Sequence, residues 1–87
     1  MGCCFKAISD EKRRKILQIL SKGEATAGEI ANKFKISQPT ISNHLKTLKE
    51  AGLIKERKIR QNRIYSLNRD RLKQVINSFL QDILQER

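Results

Sequence analysis

Residues able to do chemistry cluster in two stretches of this sequence. The first is Ser37-Gln38-Pro39-Thr40-Ile41-Ser42-Asn43, followed by Lys46. Gln and Asn carry amides that can pair with an adenine edge in bidentate fashion, and Ser or Thr can bond a base or a phosphate. Short polar side chains of this kind let a backbone lie deep in a major groove. The second stretch holds Lys55, Arg57, Lys58, Arg60, Gln61 and Arg63. Cations so closely spaced suit the phosphate backbone of a duplex or its minor groove. Catalysis has no comparable support. There is one histidine, His44, with no clustered carboxylates and no glycine-rich phosphate loop. The chain is expected not to be an enzyme.

The overall charge agrees with a polyanionic partner. Nineteen Lys and Arg stand against nine Asp and Glu, a formal net charge of +10. Such an excess attracts nucleic acid or an anionic membrane face. No apolar run approaches the ~20 residues of a membrane span. No signal peptide is visible, because Lys6 interrupts a short apolar start. Cys3 and Cys4 are adjacent, and neighbouring cysteines bridge each other only with strain. A reduced, cytoplasmic setting is expected.

For the first stretch to read a groove, a helix must carry it. Ile41, Leu45 and Leu48 recur at helical spacing, with Ser37 as its cap and Pro39 in its first turn. Gly52 closes that helix. Before it, Thr26 opens a helix with Glu29 at capping-box spacing, and Ile30, Ala31 and Phe34 form its buried face. A tight link through Lys35 and Ile36 joins the two, which is the pattern of a helix-turn-helix. Further upstream, Phe5 and Ile8 predict a short helix ending at Ser9. Ser9 is expected to cap a second helix with Ile16, Leu17, Ile19 and Leu20 inside, ended by a left-handed Gly23.

The basic stretch falls on two predicted strands, Leu53 to Ile59 and Arg63 to Leu67, with a turn near Arg60, Gln61 and Asn62. Alternation puts Lys55 and Arg57 on one side, Lys58 and Arg60 on the other. A last helix runs from about Arg69 to Gln85. Its apolar residues follow the i, i+3, i+4, i+7 rule in a stripe too broad for a lone surface helix. Phe5, Ile8, Leu72, Val75, Ile76, Phe79, Leu80 and Ile83 are expected to form a seam with a second copy. A chain of 87 residues is one domain, spanning 1–87, with a modest core. The expected fold is mostly α with a small β-hairpin, in the order α-α-α-α-β-β-α, a winged helix-turn-helix dimerising through its terminal helices. A two-fold pair would hold its reading helices ~34 Å apart, one turn of DNA, and so read an inverted repeat.

Several segments together resemble the ArsR-type family of winged helix-turn-helix repressors over nearly the whole chain. They are Phe5-Lys6-Ala7-Ile8-Ser9-Asp10, Arg13-Arg14, Ile16-Leu17, Thr26-Ala27-Gly28-Glu29-Ile30-Ala31, Ile36 to Ser42, His44-Leu45 with Leu48, Ala51-Gly52-Leu53-Ile54 and Ile64-Tyr65-Ser66-Leu67. Within the family the chain is most similar to the SdpR-like autorepressors. The resemblance implies a homodimeric repressor on duplex DNA. It departs from the family at Glu11, where Pro is usual, and at the wing tip, which lacks Gly. It departs also at the family's metal ligands: the third helix has no Cys and the last has no His. Repression without a metal or other cofactor is therefore implied, with release by a partner protein or by a falling concentration of the repressor. Two other readings remain open: a thiol- or soft-metal-responsive repressor through Cys3 and Cys4, and a nucleic-acid module without regulation. Against an RNA-binding sheet stands the lone Tyr65 with no Trp.

Overall fold

The computed structural model describes residues 2–85, with side chains from residue 4 on. The elements are α1 (Gly2–Ser9), α2 (Glu11–Ser21), β1 (Ala25–Thr26), α3 (Ala27–Phe34), α4 (Gln38–Glu50), β2 (Ile54–Ile59), β3 (Asn62–Leu67) and α5 (Arg69–Leu84). The sheet is antiparallel with strand order β1-β3-β2. It thus has one strand more than the expected hairpin. Two residues are too few to show alternation, and Thr26 both ends β1 and caps α3.

Caps set most boundaries. Thr26 and Glu29 form a reciprocal capping box, and the bonds from Thr26 hold the Glu29 carboxyl below its usual range. Asp10, rather than Ser9, caps α2. Its Oδ1 accepts from the amides of Lys12 and Arg13 at 2.8 and 3.1 Å. The Ser9 hydroxyl instead donates back to the Lys6 carbonyl within α1. The Arg13 amide contributes most to holding the Asp10 carboxyl below its usual range. Gly23 is not in the left-handed helical region either. Lys22 ends α2 in right-handed geometry, and Gly23 follows at φ +153°. Between α3 and α4 the chain reverses through Lys35, whose φ of +58° lets the amides of Lys35 and Ile36 both reach the Ala31 carbonyl.

One core serves all elements. Ile16 and Leu20 of α2, Ile30 of α3, and Ile41, Leu45 and Leu48 of α4 meet Leu53, Ile54, Tyr65 and Val75 there. Cys4 and Ala7 bring α1 into the same cluster. The Cys4 thiol lies 3.5 Å from the Ala51 carbonyl, and an Arg71 guanidinium N–H points at its sulfur from 3.2 Å. Cys4 is therefore a packed residue at 1% exposure. The Cys3 half of the thiol expectation lies outside the described side chains. Among the described residues, no helix is long and apolar enough to cross a membrane.

Candidate nucleic-acid interface

The amphipathic division of α4 creates the site. Burying Ile41, Leu45 and Leu48 leaves Gln38, Pro39, Ser42, Asn43 and Lys46 exposed along the helix. Ser37 works mainly as the cap: its Oγ accepts from the Thr40 amide at 3.4 Å and lies 2.9 Å from the Thr40 hydroxyl. These two hydroxyls hold the helix start in shape. His44 looks the other way. Its Nδ1 is 3.4 Å from Arg13, which also donates to the Ala7 and Lys6 carbonyls, so α4 is tied to α1 through one guanidinium.

The wing rises beside this helix. Ile59 pairs with Asn62, leaving a two-residue loop of Arg60 and Gln61. Arg60 takes φ +57°, the left-handed value that a hairpin usually assigns to glycine. Register divides the side chains. Glu56 faces Tyr65 and Lys58 faces Arg63 on one face, while Arg57 faces Ile64 on the other. Arg57, expected among the free cations, is bonded to Glu24 at 2.9 Å across β3. Lys58 and Arg63 are like charges directly opposite, an arrangement that costs stability in the isolated chain. A local rule broken on an exposed surface is typical of a binding site.

Between α4 and the wing lies a polar cleft of about 780 Å³. It gathers Gln38, Ser42, Asn43 and Lys46 from α4 with Gln61 and Arg63 from the wing. Ser37, Pro39, Thr40, Arg57, Lys58 and Arg60 are not part of its lining. The cleft also takes in the first turn of α3, with its positive helix end, and Lys49, Glu56, Asn62 and Tyr65. None of these was expected there. Lys49 was legible in principle, three residues past Lys46 and seven past Ser42 on one helical stripe. Burial, first, and the charge of Glu56 push the Tyr65 phenol up from its usual value.

A second surface lies on α5. Ile76, Phe79, Leu80 and Ile83 are between 38% and 60% exposed, and Leu84 is 56% exposed beside them. Val75 does not belong to this set. It is 0% exposed, inside the protomer's own core, and has no area left for a second copy. Phe5, Ile8 and Leu72 are half-buried against the same core. Phe5 meets the edge of Phe79 with ring centroids 4.8 Å apart. Among the described residues, no three His, Cys, Asp or Glu side chains gather in a way that could hold a metal ion.

Comparisons with known proteins agree with this geometry. A family model described as bacterial regulatory protein, arsR family, matches residues 10–56, from the cap of α2 to the middle of β2. The transcriptional repressor SdpR of Bacillus subtilis is 50% identical over 92% of this chain and 89% of its own. An ArsR-like transcriptional regulator from a Rhodococcus species superposes with a TM-score of 0.84 at 25% identity, over 97% of this chain and 79% of that one. A homodimeric winged helix-turn-helix DNA-binding domain from Mycobacterium bovis superposes with a TM-score of 0.77 at 26% identity, over 99% and 82%.

Proposed function

The chain belongs to the arsR family of bacterial regulatory proteins, and from that premise we propose that it is a homodimeric repressor that reads an inverted-repeat operator. It is a regulator and not an enzyme, as its relatives are. The observation that carries the reading is the cleft. It sets base-reading amides, Gln38 and Asn43, beside the phosphate-seeking cations Lys46 and Arg63. In this reading α4 enters the major groove, and Lys58, Arg60, Gln61 and Arg63 of the wing follow the adjacent backbone. The apolar stripe of α5, Ile76 to Ile83, pairs with its twin, and two-fold symmetry gives the operator its repeat.

Repression without metal sensing is part of the proposal. The family's Cys-x-Cys position on α3 and His positions on α5 carry neither residue type here. Thiol sensing through Cys4 would require unpacking a side chain that is 1% exposed. Release by a partner protein, or by dilution of the repressor in the cytoplasm, needs no such site. Selection of bound duplexes from a random pool, with and without zinc and a thiol oxidant, tests all of this together. Selected sites with two-fold symmetry, half-sites about one helical turn apart and indifference to zinc and oxidant are expected. Absence of any preferred duplex at moderate salt refutes repression by site recognition. A zinc- or oxidant-dependent site refutes the non-sensing part alone.

A further inference from the structure

Lys49 and Glu56 meet inside the cleft, with Nζ 3.2 Å from Oε2. The Glu56 side chain is 17% exposed and that of Lys49 is 51% exposed. Glu56 is the one acidic residue among the described cleft-lining side chains. It stands directly opposite Tyr65 in the β2–β3 register. A carboxylate in this position repels an approaching phosphate, so it works against the +10 charge of the chain. The Tyr65 phenol is the second partner of Glu56, so part of its role is structural, but the pair with Lys49 adds little stability because the Lys49 end is open to solvent.

We propose that Glu56 is a positioning residue that withdraws Lys49 from the phosphate-contacting set and makes it a strut between α4 and the wing. The inference rests on the duplex-binding reading above. Helix and wing must meet one half-site together, so their spacing is part of what the protein recognises. Holding that spacing before DNA arrives lowers the ordering cost of the correct complex. A loose wing would still be drawn to phosphates of any sequence. Loss of the strut therefore falls on discrimination rather than on gross affinity. Freed from Glu56, Lys49 would also join Lys46 as a backbone contact on the same helical stripe.

The test is the salt dependence of duplex binding, with the ratio of affinities for a selected site and random duplex. Lys46→Met should make the slope of log affinity against log salt shallower by about one. Lys49→Met should leave the slope unchanged. Glu56→Gln should steepen it by about one, and Lys49→Met in that background should cancel the steepening. Glu56→Gln should also lower the site-to-random ratio by roughly threefold, the size of an exposed ion pair's coupling. If Lys49→Met flattens the slope as much as Lys46→Met does, the proposal is overturned. It is equally overturned if Glu56→Gln leaves both slope and ratio at wild-type values. Should Glu56→Gln fail to fold by thermal melting, the comparison of the two lysine variants decides alone. A wild-type protein with no preferred site speaks against the repressor reading instead, while the slopes still decide the place of Lys49.

Discussion

If the stripe on α5 forms the homodimer seam proposed above, replacing Leu80 by Glu should separate the pair into folded monomers. Leu80 is 47% exposed in the protomer, so about half of its surface remains for a twin to cover. Full burial of a Leu side chain stabilises by about 1.5–3 kcal/mol. The uncovered half is then worth about 1 kcal/mol per copy, or about 2 kcal/mol across a two-fold seam. The substitution also sets two carboxylates into that seam, and an unpaired buried charge costs on the order of several kcal/mol even after relaxation. A total loss of at least about 4 kcal/mol corresponds to a dissociation constant weakened roughly a thousandfold, at about 1.4 kcal/mol per tenfold. Sedimentation over a concentration series measures it, with circular dichroism to confirm the fold. Val75→Ala is the contrasting case. Its site lies in the protomer core, so it should lower thermal stability, by about 2 kcal/mol, without abolishing self-association of the folded protein. A Leu80→Glu protein that stays folded and dimerises with wild-type affinity would refute the assignment of the seam to this stripe.

Other consequences concern the cleft and the helix caps. Gln38→Ala and Asn43→Ala should each reduce discrimination between a selected site and a single-base variant by about 1–3 kcal/mol; equal weakening on all duplexes would reassign them to phosphate contact. Arg63→Ala should weaken every duplex alike and make the salt slope shallower by about one. It should also leave the melting temperature unchanged or raise it, since Lys58 loses its like-charged neighbour across the strands. Asp10 titrates below its ordinary value of 3.8 in the folded chain. Its stabilising contribution is therefore complete above that ordinary value and disappears as pH falls through the lower folded one. Asp10→Asn should accordingly show a flatter loss of thermal stability on acidification below about pH 4 than the wild type; parallel curves would mean that the cap bonds are not charge-assisted.

What the sequence revealed, and what it concealed, divides along physical lines. Helical periods and caps are local, so Thr26 with Glu29, Ser37 with Pro39, and the closing Gly52 could be read directly. β1 could not, because its two residues carry no period of their own and exist as a strand only through β3. Val75 was misplaced for a related reason. It shares the apolar stripe of α5 with Phe79 and Leu80, and a stripe does not say which of its edges faces home. Only the tertiary packing of α5 on α1 and the core divides Val75 from the exposed members. Cleft membership was half legible. The α4 side chains follow from one helical face, but Glu56 and Tyr65 depend on how a hairpin leans toward that helix, which no local spacing encodes.

The two exposed surfaces are joined by a short mechanical path. On one side of α1, Phe5 packs against Phe79 at the edge of the apolar stripe of α5. Beyond the end of α1, Arg13 grips the Lys6 and Ala7 carbonyls and reaches His44 on α4. In the homodimer proposed above, the apolar stripe of α5 would thus be linked through α1 and Arg13 to the helix that carries Gln38 and Asn43. Half-site spacing in a symmetric dimer is set by where each α4 sits relative to the twofold axis. In the proposed homodimer, that distance would be set by the packing of α5 and α4 in one shared core, with α1 and the bond from Asn68 to the Gly52 carbonyl as the links between them.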